Sequence, residues 1–160
     1  MMARVALHGL APLRLAGRDL LPIVQGGMGV GVSAHRLAGS VAALGGVGTI
    51  SSVDLRRHHP DLMDQTRELA PGDAAKAGIN QANLIAMDRE IQAARARTGG
   101  KGLLAINVMR AVAEYAASVK KALEAGIDAV VVGAGLPLDL LVYREGSFKT
   151  DQMVCIDEHN

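Results

Sequence analysis

The sequence predicts an α/β fold built on a parallel sheet, and three observations lead there. Short apolar runs rich in Val and Ile alternate with helical patterns, and glycines mark the junctions between them. Two pairs of runs keep nearly the same spacing, 25 residues from Pro22 to Val47 and 26 from Leu103 to Ala129. Strand, glycine, helix and glycine in alternation is the pattern of βα units.

Taken in order, the first expected strand is Leu21-Pro22-Ile23-Val24. It stops in Gln25-Gly26-Gly27-Met28-Gly29-Val30-Gly31-Val32-Ser33. An apolar run halted by glycines is expected to be a buried parallel strand feeding a glycine loop, with Ser33 as the N-cap of a helix. Glycines just past a strand's C-terminal end let bare backbone approach a flat or phosphorylated ligand. Leu37, Val41 and Leu44 fall at i, i+4 and i+7 on that helix, which ends at Gly45-Gly46. Residues 47–52 form the second strand and 103–108, after Gly99-Gly100-Lys101-Gly102, the third. Val112, Tyr115, Val119 and Leu123 mark a helix closed by Gly126. The fourth strand, 129–132, then runs into Gly133-Ala134-Gly135.

The second and third strands start 56 residues apart, and the excess carries its own helical signals. Pro60-Asp61 reads as a helix start, and Leu84, Met87, Ile91 and Ala94 recur at helical spacing after Asp73. Residues 53–96 are therefore expected to be an inserted helical lid plus the connecting helix. An insertion leaving a strand's C-terminal end lies on the face where parallel α/β folds bind ligands.

Composition narrows the function classes. With 160 residues, 49% of them hydrophobic, the chain can build one domain with a real core. A net charge of +1 and 2% aromatic residues leave no electrostatic footprint and little stacking surface for nucleic acid. The single Cys155 fits a reducing compartment. No run approaches the roughly 20 apolar residues that cross a bilayer. Met1 to Leu10 lack the apolar core of a signal peptide, so a cytoplasmic location is expected.

Four ordered motifs resemble one family. Residues 22–29, 42–50, 105–108 and Gly133-Ala134-Gly135-Leu136-Pro137 look like nitronate monooxygenases, formerly called 2-nitropropane dioxygenases, and are similar to the related flavin-dependent enoyl-acyl-carrier-protein reductases. The resemblance covers residues 22 to about 140. It implies an FMN enzyme on a (β/α)8 TIM barrel that oxidises alkyl nitronates with O2 to a carbonyl compound and nitrite. By motif, Gly26, Gly27 and Met28 would lie against the isoalloxazine ring, Asn107 would hydrogen-bond its polar edge, and Gly133, Ala134 and Gly135 would line the same pocket. A buried flavin edge needs neutral donors and acceptors, and an Asn side chain supplies both.

The chain also departs from the family. A complete barrel needs eight strands and about 250 residues. Four strands are legible in this sequence, so the expectation is the N-terminal half of a barrel, about four βα units, with the helical insertion after strand two. The glycine-flanked histidine that serves many members as catalytic base has no counterpart, because no Gly-Gly-His segment occurs. No catalytic residue is therefore assigned. Residues 1–140 are expected to be a partial flavin-binding barrel domain and 141–160 an atypical tail. That tail holds none of the 26 alanines and only one of the 19 glycines. A truncated, impaired copy is expected, or a non-catalytic half-barrel fragment.

Other chemistry is weaker. Gly29-Val30-Gly31-Val32-Ser33-Ala34, with Asp54 after the next strand, satisfies a relaxed dinucleotide-binding pattern and makes a doubly wound nucleotide-binding domain the alternative. His58-His59 is expected to be a solvated loop pair, and His8, His35 and His159 have no visible partner. Lys120-Lys121 reads as a solvated helix face. An opened barrel would leave Ile23-Val24 and Val130-Val131-Val132 as sticky edges, with its inward side chains wet, so self-association is expected.

Overall fold

The computed structural model describes residues 9–135 and the backbone of residues 154–157. Two short antiparallel strands, β1 (Leu13–Leu15) and β2 (Arg18–Leu20), come first. The helix α1 (His35–Ala43) and strand β3 (Val47–Ser51) follow. The insert consists of a 3-10 turn (Leu55–His58), α2 (Pro60–Arg67) and the long α3 (Asp73–Thr98). The chain then forms β4 (Leu103–Met109), α4 (Tyr115–Glu124), β5 (Ala129–Gly133) and β6 (Val154–Asp157). The fold is α/β.

Strands β3, β4, β5 and β6 lie side by side in sequence order, every neighbouring pair parallel. The expected first strand joins β3 through one parallel bridge, Val24 to Val47, rather than a full ladder. The cause is local. Pro22 has no N–H to give, and the Ile23 N–H turns back to the Leu21 carbonyl at 2.7 Å. The bridge consists of two bonds, from the Gln25 N–H to the Val47 carbonyl and from the Val47 N–H to the Ile23 carbonyl, each at 2.9 Å. Expected to be buried, Ile23 and Val24 are instead 42% and 50% exposed.

The two faces of the sheet are covered differently. Ile50, Leu104, Ile106, Val108, Val130 and Val132 share one core cluster with the buried residues of α1, α3 and α4. Val47, Leu103, Ala105, Ala129 and Val131 form a second cluster with Leu13, Leu15, Ala16 and Leu20 of the β1–β2 hairpin. The hairpin thus packs against inner-face side chains that were expected to be wet; Ala105 is 0% and Val131 5% exposed. The other expected edge, β5, is paired by β6 from Ala129↔Val154 to Val132↔Asp157. Four residues of the expected tail therefore form a strand. The rest of 136–160, with Leu136, Pro137, Phe148 and His159, lies outside the described residues, as does His8.

On α1 the buried face is not the expected one. Ala38, Gly39 and Ala42 face inward, while Leu44 is 60% exposed. A Cβ on Gly48 would collide with the Ala38 backbone, and one on Gly102 with the Ala42 and Gly46 carbonyls. The helix backbone lies directly on the strand starts, a separation that admits only small side chains. Helix α3 has 26 residues, about 39 Å at 1.5 Å each, against about 23 Å for the seven residues of β4. Its N-terminal part therefore overhangs the C-terminal ends of the strands, where the 3-10 turn and α2 pack on it.

Candidate functional site

The glycine loop is fastened by two side chains from its own ends. Where the chain leaves β3, the Gln25 side chain takes over the pairing. Its Oε1 accepts the Thr49 N–H at 3.0 Å, and its Nε2 donates to the Thr49 carbonyl at 3.1 Å. The same Nε2 reaches Ser33 Oγ at 2.9 Å and the Gly26 carbonyl. Ser33 is fully buried and does not cap α1 as expected. Its hydroxyl accepts the Met28 N–H at 2.9 Å and donates to the Gly26 carbonyl at 3.2 Å. Pinned by the loop, that hydroxyl is not available to the helix start. Ala34 takes the N-cap position without a side-chain bond.

Within the loop, close packing sits beside open space. A Cβ on Gly27 would lie 2.5 Å from Asn107 Cβ and 3.1 Å from its Cγ, while one on Gly26 would meet nothing within 4 Å. Met28 is 46% exposed. The structure thus brings Gly27, flanked in the chain by Gly26 and Met28, against Asn107, a pairing expected only from the resemblance. The Asn107 carbonyl accepts the Ser52 N–H at 3.0 Å, and among the described residues its side-chain amide has no hydrogen-bond partner. Thr49 Cγ2 would lie 3.5 Å from the same Cβ, and its Oγ1 is buried without a hydrogen-bond partner among the described residues.

Gly133, Ala134 and Gly135 end β5 at the same level of the sheet. Register pairs Asn107 with Val131 and Met109 with Gly133. The Gly133 carbonyl accepts the Arg110 N–H at 2.8 Å, Ala134 holds a φ of +59°, and Gly135 backs onto the Arg110 side chain. The Arg110 guanidinium stacks 4.7 Å from the Tyr115 ring centre. The seven expected site residues therefore lie on the loop beside β3, on β4 near its end, and at or just past the end of β5.

Several expectations about charged groups change. Asp54, the acid a dinucleotide ribose would need, carries a φ of +53° and pairs with Arg56 at 2.9 Å and with Arg57. Of the histidine pair, His58 is exposed as expected, at the end of the 3-10 turn, whereas His59 is partly buried. His58 Nε2 donates to the Gly31 carbonyl at 2.8 Å, and His59 Nε2 lies 3.1 Å from Glu90 Oε1, though not aligned as a hydrogen bond. His35 is also partnered: its Nδ1 lies 2.7 Å from Glu90 Oε2. Glu90 is 1% exposed. The missed signal was its place in the Met87–Ile91–Ala94 stripe, because a carboxyl group inside an apolar stripe needs partners. No cluster of His, Cys, Asp and Glu among the described residues could hold a metal ion. No described helix is long and apolar enough to cross a membrane.

No protein-family model matches this chain, and no curated protein matches it.

Proposed function

We propose that the strand ends around Gly27 and Asn107 hold the ring of FMN, in the first half of a (β/α)8 barrel. Its chemistry would be the oxidation of an alkyl nitronate with O2 to a carbonyl compound and nitrite. The observation that carries this proposal is the meeting of Gly27 with an Asn107 amide that has no hydrogen-bond partner among the described residues. A bare glycine backbone admits a flat ring, and a neutral amide offers the donor and the acceptor that a flavin pyrimidine edge needs. The open space over Gly26 and the Thr49 hydroxyl, unpartnered among the described residues, suit the same occupant. Helices on one sheet face and strands in sequence order suit a closing barrel, whereas a doubly wound sheet carries helices on both faces and reverses its order. Asp54, held by two arginines, disfavours the dinucleotide alternative.

When bound, FMN would supply electron transfer and reaction with O2. Gly26 and Gly27 would seat the ring, Asn107 would fix its orientation, and Met28 would cover one side and exclude water. Titration with FMN and with riboflavin, followed by flavin absorbance, tests the proposal. Both should bind saturably and with similar affinity, because the residues assigned here grip the ring and not the phosphate. For the same reason, FMN should be lost on gel filtration. Asn107→Ala should weaken binding about 5- to 150-fold, the range for one buried hydrogen bond worth about 1–3 kcal/mol. No spectral change, or an Asn107→Ala variant that binds as tightly as the parent, would overturn it.

A further inference from the structure

Glu90 is the one charged residue among the buried positions of α3. A carboxyl group removed from water is costly unless its oxygens find partners. Those partners come from two other elements. Oε2 accepts the backbone N–H of His35, the first residue of α1, at 2.8 Å, and lies 2.7 Å from His35 Nδ1. Oε1 faces His59, the N-cap of α2. Each partner leads to the glycine loop. His35 follows two residues after Ser33, whose hydroxyl closes the loop, and His59 adjoins His58, which donates to Gly31.

We propose that Glu90 is a positioning residue for the glycine loop, setting the pose of residues 26–33 between the start of α1 and the insert. The proposal does not depend on what the loop binds. The insert carboxylates Asp54 and Asp61 do not replace Glu90, because both are already paired, Asp61 with Arg89 and Asp54 with Arg56 and Arg57. The insert has ties of its own to α3, through Arg56 N–H to Asn83 Oδ1 at 3.3 Å and Asn83 Nδ2 to the Ser52 carbonyl at 2.8 Å. Losing Glu90 would therefore leave the insert on α3 while freeing the loop.

Hydrogen exchange on the ligand-free full chain, read by mass spectrometry, tests this. Glu90→Leu should raise exchange at 26–34 about tenfold or more, the effect of one lost buried hydrogen bond, and leave α4 and β5 unchanged. Glu90→Gln keeps an acceptor for the His35 N–H and a group able to bond His59, and should restore most of the protection. His58→Ala, at an exposed contact, should raise exchange at 26–34 even if Glu90→Leu fails to fold. Overturning results are unchanged loop exchange in His58→Ala or in a folded Glu90→Leu, a uniform rise across the whole chain in Glu90→Leu, or Glu90→Gln resembling Glu90→Leu.

Discussion

At Gly27 a single methyl group has nowhere to go. Its Cβ would meet Asn107 at 2.5 Å, a distance real side chains do not tolerate, so either the loop or the β4 end must shift. Gly27→Ala should therefore destabilise the protein by about 1–3 kcal/mol, the usual cost of overpacking. Gly26→Ala, which points into open space at an ordinary φ, should fall within about 0.5 kcal/mol of the parent. Urea denaturation of both variants decides this through midpoints at constant slope. Equal effects would show that the loop, not its packing on Asn107, sets the cost. At this scale sequence patterns were a partial guide. They marked the glycines and Asn107, yet Ser33 looks the same whether it caps a helix or closes a loop. Glu90 hid for a different reason: its histidine partners stand 55 and 31 positions away, and no local pattern links them.

Among the elements, legibility followed periodicity. Strands β3, β4 and β5 and helices α2, α3 and α4 were readable, because apolar spacing, a starting proline and closing glycines acted together. The face of α1 was not, because close approach selected alanine and glycine over the leucines that carry the hydrophobic signal. The insert adds a testable electrostatic detail. Arg89 Nη1 bonds both Asp61 oxygens at 2.9 Å, and this bond holds the Asp61 carboxyl below its usual value. A folded-state value below the unfolded one means the pair stabilises at pH above the ordinary carboxylate value, about 3.9. That contribution is lost as pH falls through the depressed value. The carboxyl is exposed to solvent, so the effect on overall stability is small. Carbon-13 NMR titration of Asp61 should show the depressed midpoint, and Arg89→Ala should return it to about 3.9. An unchanged midpoint in that variant would assign the shift to another group.

For the molecule as a whole, the two flanks of the sheet end differently. One flank is extended by β6, and the sheet face opposite the helices is packed by the hairpin, so two of the expected sources of stickiness are removed. The other flank is different. Ile23 and Val24 make one bridge to β3, and no described strand pairs their outer side. Met28, Val30 and Val32, on the adjoining loop, are each about half exposed. An exposed apolar segment with unpaired backbone is a template for a second copy of the same chain. Light scattering should therefore give a mass that rises with concentration from 16.6 kDa toward twice that value. Val24→Lys places a charge on the exposed edge, the device by which natural edge strands resist pairing, and should hold the chain at the monomer mass. The substitution touches neither Asn107 nor the Gln25 side-chain bonds, so flavin titration of the Val24→Lys monomer also separates assembly from binding. A parent chain whose mass stays at 16.6 kDa across all concentrations would mean that this flank is closed within the monomer.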